Sequence, residues 1–266
     1  MDPNSLKLIV QEKYGQIARG QKSCCGESSC CESADYSIFS EDYSKQIGYL
    51  ETADLNLGCG IPTSFAAIQQ GDAVLDLGSG AGNDCFVASR QTGESGRVTG
   101  LDFTEAMVLK ARENLSKTRI GNIEFVQGDI EAMPFEDNSF DVVISNCVLN
   151  LVPNKTQAFS EIHRVLKPGG HFCISDVVLK GSLPQGLRED AEFYAGCVSG
   201  AISHEYYLGT VDALNFVNIQ VLKEKKVNLP PSVMGKYFST EQAKQFEDTG
   251  SGIFSITLFA QKPKTA

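Results

Sequence analysis

Residues 73–82, AVLDLGSGAG, set a run of apolar residues directly before three alternating glycines. This pattern is typical of a buried strand that turns into the first helix of an α/β domain. Glycines let the backbone turn sharply and approach a ligand closely. Position 83 is Asn, so the dinucleotide pattern G-x-G-x-x-G lacks its third glycine. The turn therefore suits an adenosyl ligand that carries an amino acid in place of a pyrophosphate.

Two acidic residues support an adenosyl site next to this turn. Asp102 ends the apolar segment 97–102, where its carboxylate can accept hydrogen bonds from both ribose hydroxyls. Asp129 follows the apolar segment 122–127, where it can accept from the adenine amino group. A glycine turn that merely joins a strand to a helix would explain the glycines alone. The glycines and both acids, each at the carboxyl end of a strand, favour nucleotide binding.

Strand and helix patterns alternate along the chain from residue 73. Helical spacing is expected over residues 4–19, 83–93, 104–116, 154–166 and 184–214, with Thr104 as an N-cap and a short helix from Thr63. Strands are expected at 73–80, 97–102, 122–129, 140–146, 168–178, 218–227 and 253–262. Successive βα units predict a parallel sheet with helices on both faces.

The chain divides into three regions by composition. Residues 1–60 hold a helix and a cysteine-rich loop, which we interpret as a substrate-capture segment or lid. Residues 61–180 hold the nucleotide-binding core, and residues 181–266 hold a helical insertion and the last strands. The net charge of −10 argues against nucleic acid as a partner. Without a long apolar run or an export signal, no membrane partner and a cytoplasmic location are expected.

The core resembles that of the class I S-adenosylmethionine methyltransferases. Besides the glycine turn, PF (134–135), SFDV (139–142) and RVLKPGG (164–170) carry the resemblance, over residues 73–177. It implies an α/β, Rossmann-like fold with a mostly parallel seven-stranded sheet, an N-terminal cysteine-bearing extension and a helical insertion before the last strands. The implied cofactor is S-adenosylmethionine, and the expected cofactor-binding residues are Asp76, Gly78, Ser79, Gly80, Gly82, Asp102, Phe103, Asp129, Ile130 and Asn146.

Nine cysteines, an odd number, are unusual for a chain of this kind; they lie at 24, 25, 30, 31, 59, 85, 147, 173 and 197. Secreted disulfide frameworks are smaller and carry an export signal, so metal binding, redox chemistry or catalysis is indicated. Cys147 directly follows the fourth strand, Cys197 lies among small residues of the insertion, and Cys59 lies between two glycines. A buried, structural thiol is the alternative for each, and it fits Cys85 and Cys173 best.

Three thiolates beside a methyl donor suggest a soft acceptor. Trivalent arsenic suits such a site, because it takes three sulfur ligands in a pyramid and keeps a lone pair free to attack. Zinc is the alternative, but it prefers four ligands and spacings such as C-x₂-C, which the pairs Cys24-Cys25 and Cys30-Cys31 do not supply. A closed zinc site would also hold no electron pair to methylate, so no structural metal is expected.

A closer resemblance, to the arsenite methyltransferases, extends over nearly the whole chain. It rests on KYGQIA (13–18) before the CC pairs, NLGCGIPT (56–63), LDLGSGAGNDCF (75–86), ISNCVLNLVP (144–153) and AGCVSGA (195–201). It implies that Cys147 and Cys197 bind As(III), with Cys59 as a third thiolate. It also implies assistance from one or more accessory thiols, Cys24, Cys25, Cys30 and Cys31, which would carry arsenic in or reduce a disulfide. Alternatively, that loop is a general metal-scavenging tail.

The implied reaction moves methyl groups from S-adenosylmethionine to arsenite or its thiol conjugates, with glutathione or thioredoxin as the reductant. Two other functions stay open: methylation of a small organic acceptor such as a quinone, phenol or amine, and binding of arsenic or heavy metals without turnover. The three histidines, His163, His171 and His204, are expected to be structural. Glu131 and Asp176 are expected near the pocket, but nothing in the sequence marks either as a base.

Overall fold

A computed structural model describes residues 2–20, 41–181, 200–227, 235–248 and 251–264 of the 266-residue chain. The predicted accessory thiols Cys24, Cys25, Cys30 and Cys31 and the predicted arsenic ligand Cys197 lie outside these residues. In the parts that the structure describes, no helix is both long enough and apolar enough to span a membrane.

The described chain contains six α-helices and seven strands. The helices are α1 Pro3–Ala18, α2 Asn83–Thr92, α3 Glu105–Ser116, α4 Lys155–Val165, α5 His204–Ala213 and α6 Thr240–Asp248. The strands are β1 Ala73–Leu77, β2 Arg97–Asp102, β3 Ile123–Gln127, β4 Phe140–Asn146, β5 Leu166–Lys180, β6 Val217–Val227 and β7 Gly252–Gln261.

All seven strands form one sheet, in the order β3-β2-β1-β4-β5-β7-β6. β1 to β5 pair in parallel, whereas β7 lies antiparallel between β5 and β6. The order reverses beside β1, which has β2 on one side and β4 on the other. This reversal opens a crevice at the carboxyl ends of the strands, where α/β proteins bind ligands. The expected fold class is confirmed.

The core lies on both faces of the sheet, as the fully buried and mostly apolar β1 requires. Every residue of β1 is buried, and successive side chains face opposite sides. Leu75 and Leu77 pack on one side with Phe159 and Ile162 of α4. Val74 packs on the other side with Phe86 of α2. The first strand therefore sits at the centre of the molecule and fixes the position of the glycine turn that follows it.

Some expected elements differ from those observed. The helix expected from Thr63 is a single 3-10 turn, Pro62–Ser64. In the described part of the segment 184–214, the helix begins only at His204, because the Ser203 side chain caps it by accepting from the Tyr206 N–H. Thr104 stands at the N-cap of α3 as expected, but its side chain makes no capping hydrogen bond. Helix α6 was not expected at all, since its segment has few apolar residues.

Candidate active site

A pocket opens at the carboxyl ends of the central strands, and nine of the ten expected cofactor-binding residues line it. They are Asp76, Gly78, Ser79, Gly80, Asp102, Phe103, Asp129, Ile130 and Asn146. Gly82 does not line the pocket; it is the residue before α2, with a φ of 99°. The sequence thus located the pocket, while the role of each lining residue toward a cofactor stays a prediction.

The glycine turn adopts a left-handed backbone that few other residues tolerate. Gly78, Gly80 and Gly82 have φ angles of 67°, 52° and 99°. A Cβ on Gly82 would lie 2.8 Å from the Phe125 ring, so packing excludes a side chain there. A Cβ on Gly80 would meet nothing within 4 Å, so this residue faces open space in the pocket. The turn therefore packs tightly against the core at Gly82 and leaves space for a ligand at Gly80.

Asp102 is built into the turn by hydrogen bonds as well as facing the pocket. Its Oδ2 accepts from the Gly80 N–H at 2.8 Å, and its Oδ1 accepts from the Thr104 N–H at 2.8 Å. Burial raises the pKa of Asp102 to about 6, although both N–H groups favour the charged form. At neutral pH the carboxylate is therefore ionised and able to accept hydroxyl donors.

Helix α1 forms part of the wall of the pocket. Lys7 Nζ is 2.6 Å from Asp129 Oδ2 and also pairs with Glu131. Val10 and Tyr14 of the same helix line the pocket. The N-terminal helix is therefore part of the pocket wall, and an ion pair ties it to the residue expected to bind adenine.

A buried polar network, which the sequence did not reveal, joins the pocket to the Cys59 loop. The Asn146 amide Nδ2 donates to Tyr43 Oη at 2.7 Å, to the Gly60 carbonyl at 2.8 Å and to Asp84 Oδ2 at 3.2 Å. Tyr43 donates in turn to Gly60 O or to Asp84, at 3.0 and 2.9 Å. Burial raises the pKa of Asp84 to about 6, while hydrogen bonds from Asn146, Tyr43 and Thr63 oppose the shift.

Asp76, the acid at the end of β1, is fully buried beside this network. Burial, and then the negative charge of Asp84, raise its pKa well above the usual range. Cys85 Sγ donates to Asp76 Oδ2 at 3.2 Å. Cys85 is thus engaged in the wall behind the pocket, in line with the structural role expected for it.

Two of the three predicted arsenic ligands lie together at the pocket wall. Cys59, Cys147 and Asp176 are 1%, 4% and 0% exposed, and their sulfur and carboxylate oxygen atoms all lie within 4.8 Å of one another. Cys147 also lines the pocket described above. The structure therefore brings two thiols from distant parts of the chain to one point and adds Asp176, which the sequence expected nearby without a role.

Local backbone geometry explains why cysteines at these positions face each other. A Cβ on Gly58 would lie 2.5 Å from Asn146 Nδ2, and one on Gly60 would lie 2.5 Å from Ser175 Oγ. Only glycines on both sides of Cys59 therefore allow its loop to lie so close to β4 and β5. Cys147 itself has a φ of 61°, an uncommon conformation for a residue with a side chain. Such a conformation persists only where the surrounding structure requires it.

Hydrogen bonds hold both cysteine backbones in place. The Cys147 N–H donates to the Ser175 carbonyl at 2.7 Å. The Cys59 N–H donates to Asn146 Oδ1 at 2.9 Å, and the Cys59 carbonyl accepts from Ser255 Oγ at 2.5 Å. The two thiols are consequently positioned by β4, β5 and β7 and not by their own loops alone.

Asp176 is hydrogen-bonded on both carboxylate oxygens by neutral donors. Oδ1 accepts from the Val177 N–H at 2.9 Å, and Oδ2 accepts from the Tyr207 hydroxyl at 3.1 Å. Burial raises the pKa of Asp176 to about 7, against the opposing effect of these bonds and of the Lys155 charge. Tyr207, fully buried on α5, has its own pKa raised by burial and by the Asp176 charge.

Cys173 and the three histidines do not line the pocket. Cys173 packs in the apolar cluster around Val74, and burial raises its pKa to about 12, which disfavours a thiolate. His163 packs edge-on against Phe216, and His171 Nε2 lies 2.6 Å from the Ala66 carbonyl. The packing of Cys173, His163 and His171 agrees with the structural roles expected for them, whereas the role of His204 stays a prediction.

Known proteins that are similar to this chain include several methyltransferases. A methyltransferase domain family matches residues 68–234. An arsenite methyltransferase of Halobacterium salinarum is 38% identical over 98% of this chain and 68% of its own length. One from Mus musculus is 34% identical over 92% of this chain and 64% of its own. The crystal structure of an arsenic(III) S-adenosylmethionine methyltransferase from Chlamydomonas reinhardtii superposes with a TM-score of 0.66 at 34% identity, over 77% of this chain and 68% of that one. The chain spans about two thirds of the length of each.

Proposed function

Because this chain belongs to the arsenite methyltransferases, we propose that it transfers methyl groups from S-adenosylmethionine to trivalent arsenic bound by Cys59 and Cys147. S-adenosylmethionine is the methyl donor of this family. The observation that carries the proposal is the pair of buried thiols at the wall of the cofactor pocket. A methyl acceptor held there would lie beside the donor, at the carboxyl edge of the sheet.

The proposed reaction is a displacement at the sulfonium methyl group. The arsenic lone pair forms the As–C bond, the S–CH₃ bond breaks, and its electron pair stays on the sulfur of S-adenosylhomocysteine. The sulfonium is already a good leaving group, so little acid–base chemistry is needed. Catalysis then consists mainly of holding arsenic and methyl in line, and such positioning contributes up to about 7–11 kcal/mol in favourable cases.

The cofactor side of the site is assigned by the residues that line it. Asp102 is proposed to accept from the ribose hydroxyls, and Asp129 from the adenine amino group. Gly78, Ser79 and Gly80 lie against the cofactor, and Phe103 and Ile130 supply apolar contact. Asn146 borders the pocket and accepts from the Cys59 N–H, and Asn146 and Asp76 are proposed to bind the methionine part of the donor.

The other thiols complete the proposal. Cys197 is proposed as a further arsenic ligand, since trivalent arsenic takes three sulfur ligands. Cys24, Cys25, Cys30 and Cys31 are proposed as accessory thiols that deliver arsenic or reduce the site cysteines.

Methylation formally oxidises arsenic from the trivalent to the pentavalent state, and two electrons from a thiol reductant, glutathione or thioredoxin, return the arsenic to the trivalent state. The reducing cytoplasm, where thiols persist, is the proposed compartment.

The test is a methylation assay with matched cysteine variants. The protein is incubated with S-adenosylmethionine, glutathione and arsenite, and the arsenic species are separated by chromatography. Methylated arsenic is expected from the unaltered chain and not from Cys59→Ala or Cys147→Ala. Cys173→Ala, which removes a buried thiol that does not line the pocket, is expected to keep activity. Methylation by Cys147→Ala at the unaltered rate would remove the proposed site.

The same assay separates the alternatives. A methyltransferase of a small organic acceptor would yield no methylated arsenic, and its activity would not depend on the two thiols. A binding protein would retain arsenic without consuming S-adenosylmethionine. Omitting the reductant tests the redox step: a first methylation of each arsenic is expected to proceed, and a second methylation, which needs As(III) again, to stop. Dimethylated arsenic formed without any added thiol would contradict the proposed reductant.

A further inference from the structure

We propose that Cys59, Cys147 and Asp176 also form a binding site for a thiophilic divalent cation, Zn²⁺ or Cd²⁺, which blocks methylation by occupying the arsenic position. This inference deepens the proposed function and rests on it, because the same two thiols serve both ligands. Its new element is Asp176, to which the arsenic chemistry assigns no part.

The donor set suits such a cation in type and in spacing. Two sulfurs and one carboxylate oxygen lie within 4.8 Å of one another, supplied by the Cys59 loop, the end of β4 and the middle of β5. Zinc binds sulfur at about 2.3 Å and carboxylate oxygen at about 2.0–2.2 Å in a tetrahedron. Such bonds hold neighbouring donors between roughly 3 and 4 Å apart. Small side-chain rotations bring the three atoms to that separation, with a water or a further thiol as the fourth ligand.

Charge favours a divalent cation at this point. Asp176 is fully buried, and its hydrogen-bond donors, which include the Val177 N–H and the Tyr207 hydroxyl, are neutral. Burial of this carboxylate is unfavourable despite the favourable charge of Lys155, and two thiolates beside it add negative charge. A divalent cation bonded to all three groups offsets this charge directly.

Trivalent arsenic and a divalent cation differ in whether they bind the carboxylate of Asp176. Trivalent arsenic bonds to sulfur and needs no carboxylate, whereas Zn²⁺ and Cd²⁺ accept carboxylate oxygen. Substituting Asp176 therefore separates the two ligands, although they share both thiols. Asp176→Asn keeps the shape and one acceptor oxygen, and it replaces the other oxygen and the negative charge with a neutral NH₂ group.

The experiment is a cadmium titration in a chain whose accessory thiols are replaced. Cys24, Cys25, Cys30 and Cys31 are changed to Ser, because adjacent cysteines bind Cd²⁺ themselves. Binding is followed by the thiolate-to-cadmium charge-transfer absorption and by equilibrium dialysis. One Cd²⁺ per chain is expected, and arsenite is expected to displace it. Asp176→Asn is expected to weaken cadmium binding about 10-fold or more, a loss typical of a disrupted metal site. Arsenite binding should stay unchanged within about threefold.

Two controls keep the result interpretable. Tyr207→Phe removes a hydrogen bond from Asp176 but leaves its charge, so cadmium binding should survive, and urea unfolding shows whether each variant is folded. Equal cadmium affinity in the unaltered chain and Asp176→Asn, or cadmium that arsenite does not displace, would overturn the inference. Asp176-dependent cadmium binding in a chain that methylates no arsenic would instead reject the proposed function and keep the cation site.

Discussion

The half-buried amide of Asn146 is predicted to set the arsenic affinity of the site without touching arsenic. It makes four hydrogen bonds: it accepts from the Cys59 N–H and donates to Gly60 O, Tyr43 Oη and Asp84. In Asn146→Ala, the single hydroxyl hydrogen of Tyr43 can serve Gly60 O, and Asp84 keeps Thr63 as a donor. The Cys59 N–H loses its hydrogen-bond acceptor. The main effect of the substitution is therefore that the Cys59 N–H has no hydrogen-bond acceptor.

The expected magnitude follows from that one orphaned group. Leaving a buried N–H without an acceptor costs about 1–3 kcal/mol. The loop can relieve this cost by moving toward water, but Cys59 then leaves Cys147. Arsenic binding must then bring Cys59 back to Cys147 and restore the cost, so arsenite affinity is expected to fall by up to the same amount, about 5- to 150-fold.

Arsenite affinity is measured by equilibrium dialysis without S-adenosylmethionine, so that cofactor contacts of Asn146 do not enter. The chain again carries Ser at 24, 25, 30 and 31. The matched control is Asn122→Ala. Asn122 is likewise half-buried, and its amide ties α2 and the loop after it together through Ser89, Gly93 and Gly96, away from the pocket. Arsenite affinities within twofold of each other in the two variants would refute the reasoning.

Three further predictions concern the pocket. The folded-state pKa of Asp102, about 6, exceeds its unfolded value of about 4, so the folded chain binds more protons between these two pH values. Its free energy of unfolding therefore falls as pH rises from about 4 to 6. Asp102→Asn is expected to reduce that pH dependence, measured by urea unfolding. Lys7→Ala removes the ion pairs of α1 and is expected to speed S-adenosylmethionine release in stopped flow, whereas Lys117→Ala, which breaks an exposed pair on α3, is not. Gly60→Ala forces a Cβ against Ser175 and is expected to cost about 1–3 kcal/mol of stability and to abolish arsenite binding, measured by unfolding and dialysis.

The sequence predicted the sheet and the pocket because both depend on local signals. The apolar run of β1 and the glycines after it define a buried strand and its turn, and the parallel topology then places Asp102 and Asp129 at one edge. β5 was expected from residue 168, but it begins at Leu166, ahead of Pro168. The irregular pairing of β4 and β5 between Phe140 and Val142 leaves room for a proline in the strand.

The polar network and the third group at the thiols were not predictable, because each depends on distant residues. Tyr43 meets Asp84 across 41 positions, and Asn146 meets Cys59 across 87. No spacing in the sequence reports such contacts. Asp176 lies on a strand among apolar residues, and only the pairing of β4 with β5 brings it beside Cys147. The sequence therefore shows which polar side chains and thiols are present, and only the fold shows which of them lie together.

The hydrogen bond from Ser255 to the Cys59 carbonyl has a consequence for biosynthesis. β7 inserts between β5 and β6 although it is the last strand along the chain, and it brings Ser255 to the Cys59 loop. A ribosome-bound chain translated only through residue 181 already carries both thiols, yet it lacks the strand that fixes one of them. During synthesis, the Cys59 carbonyl therefore gains this hydrogen bond only when β7 pairs, so the two-thiol site receives its last backbone contact at the end of translation.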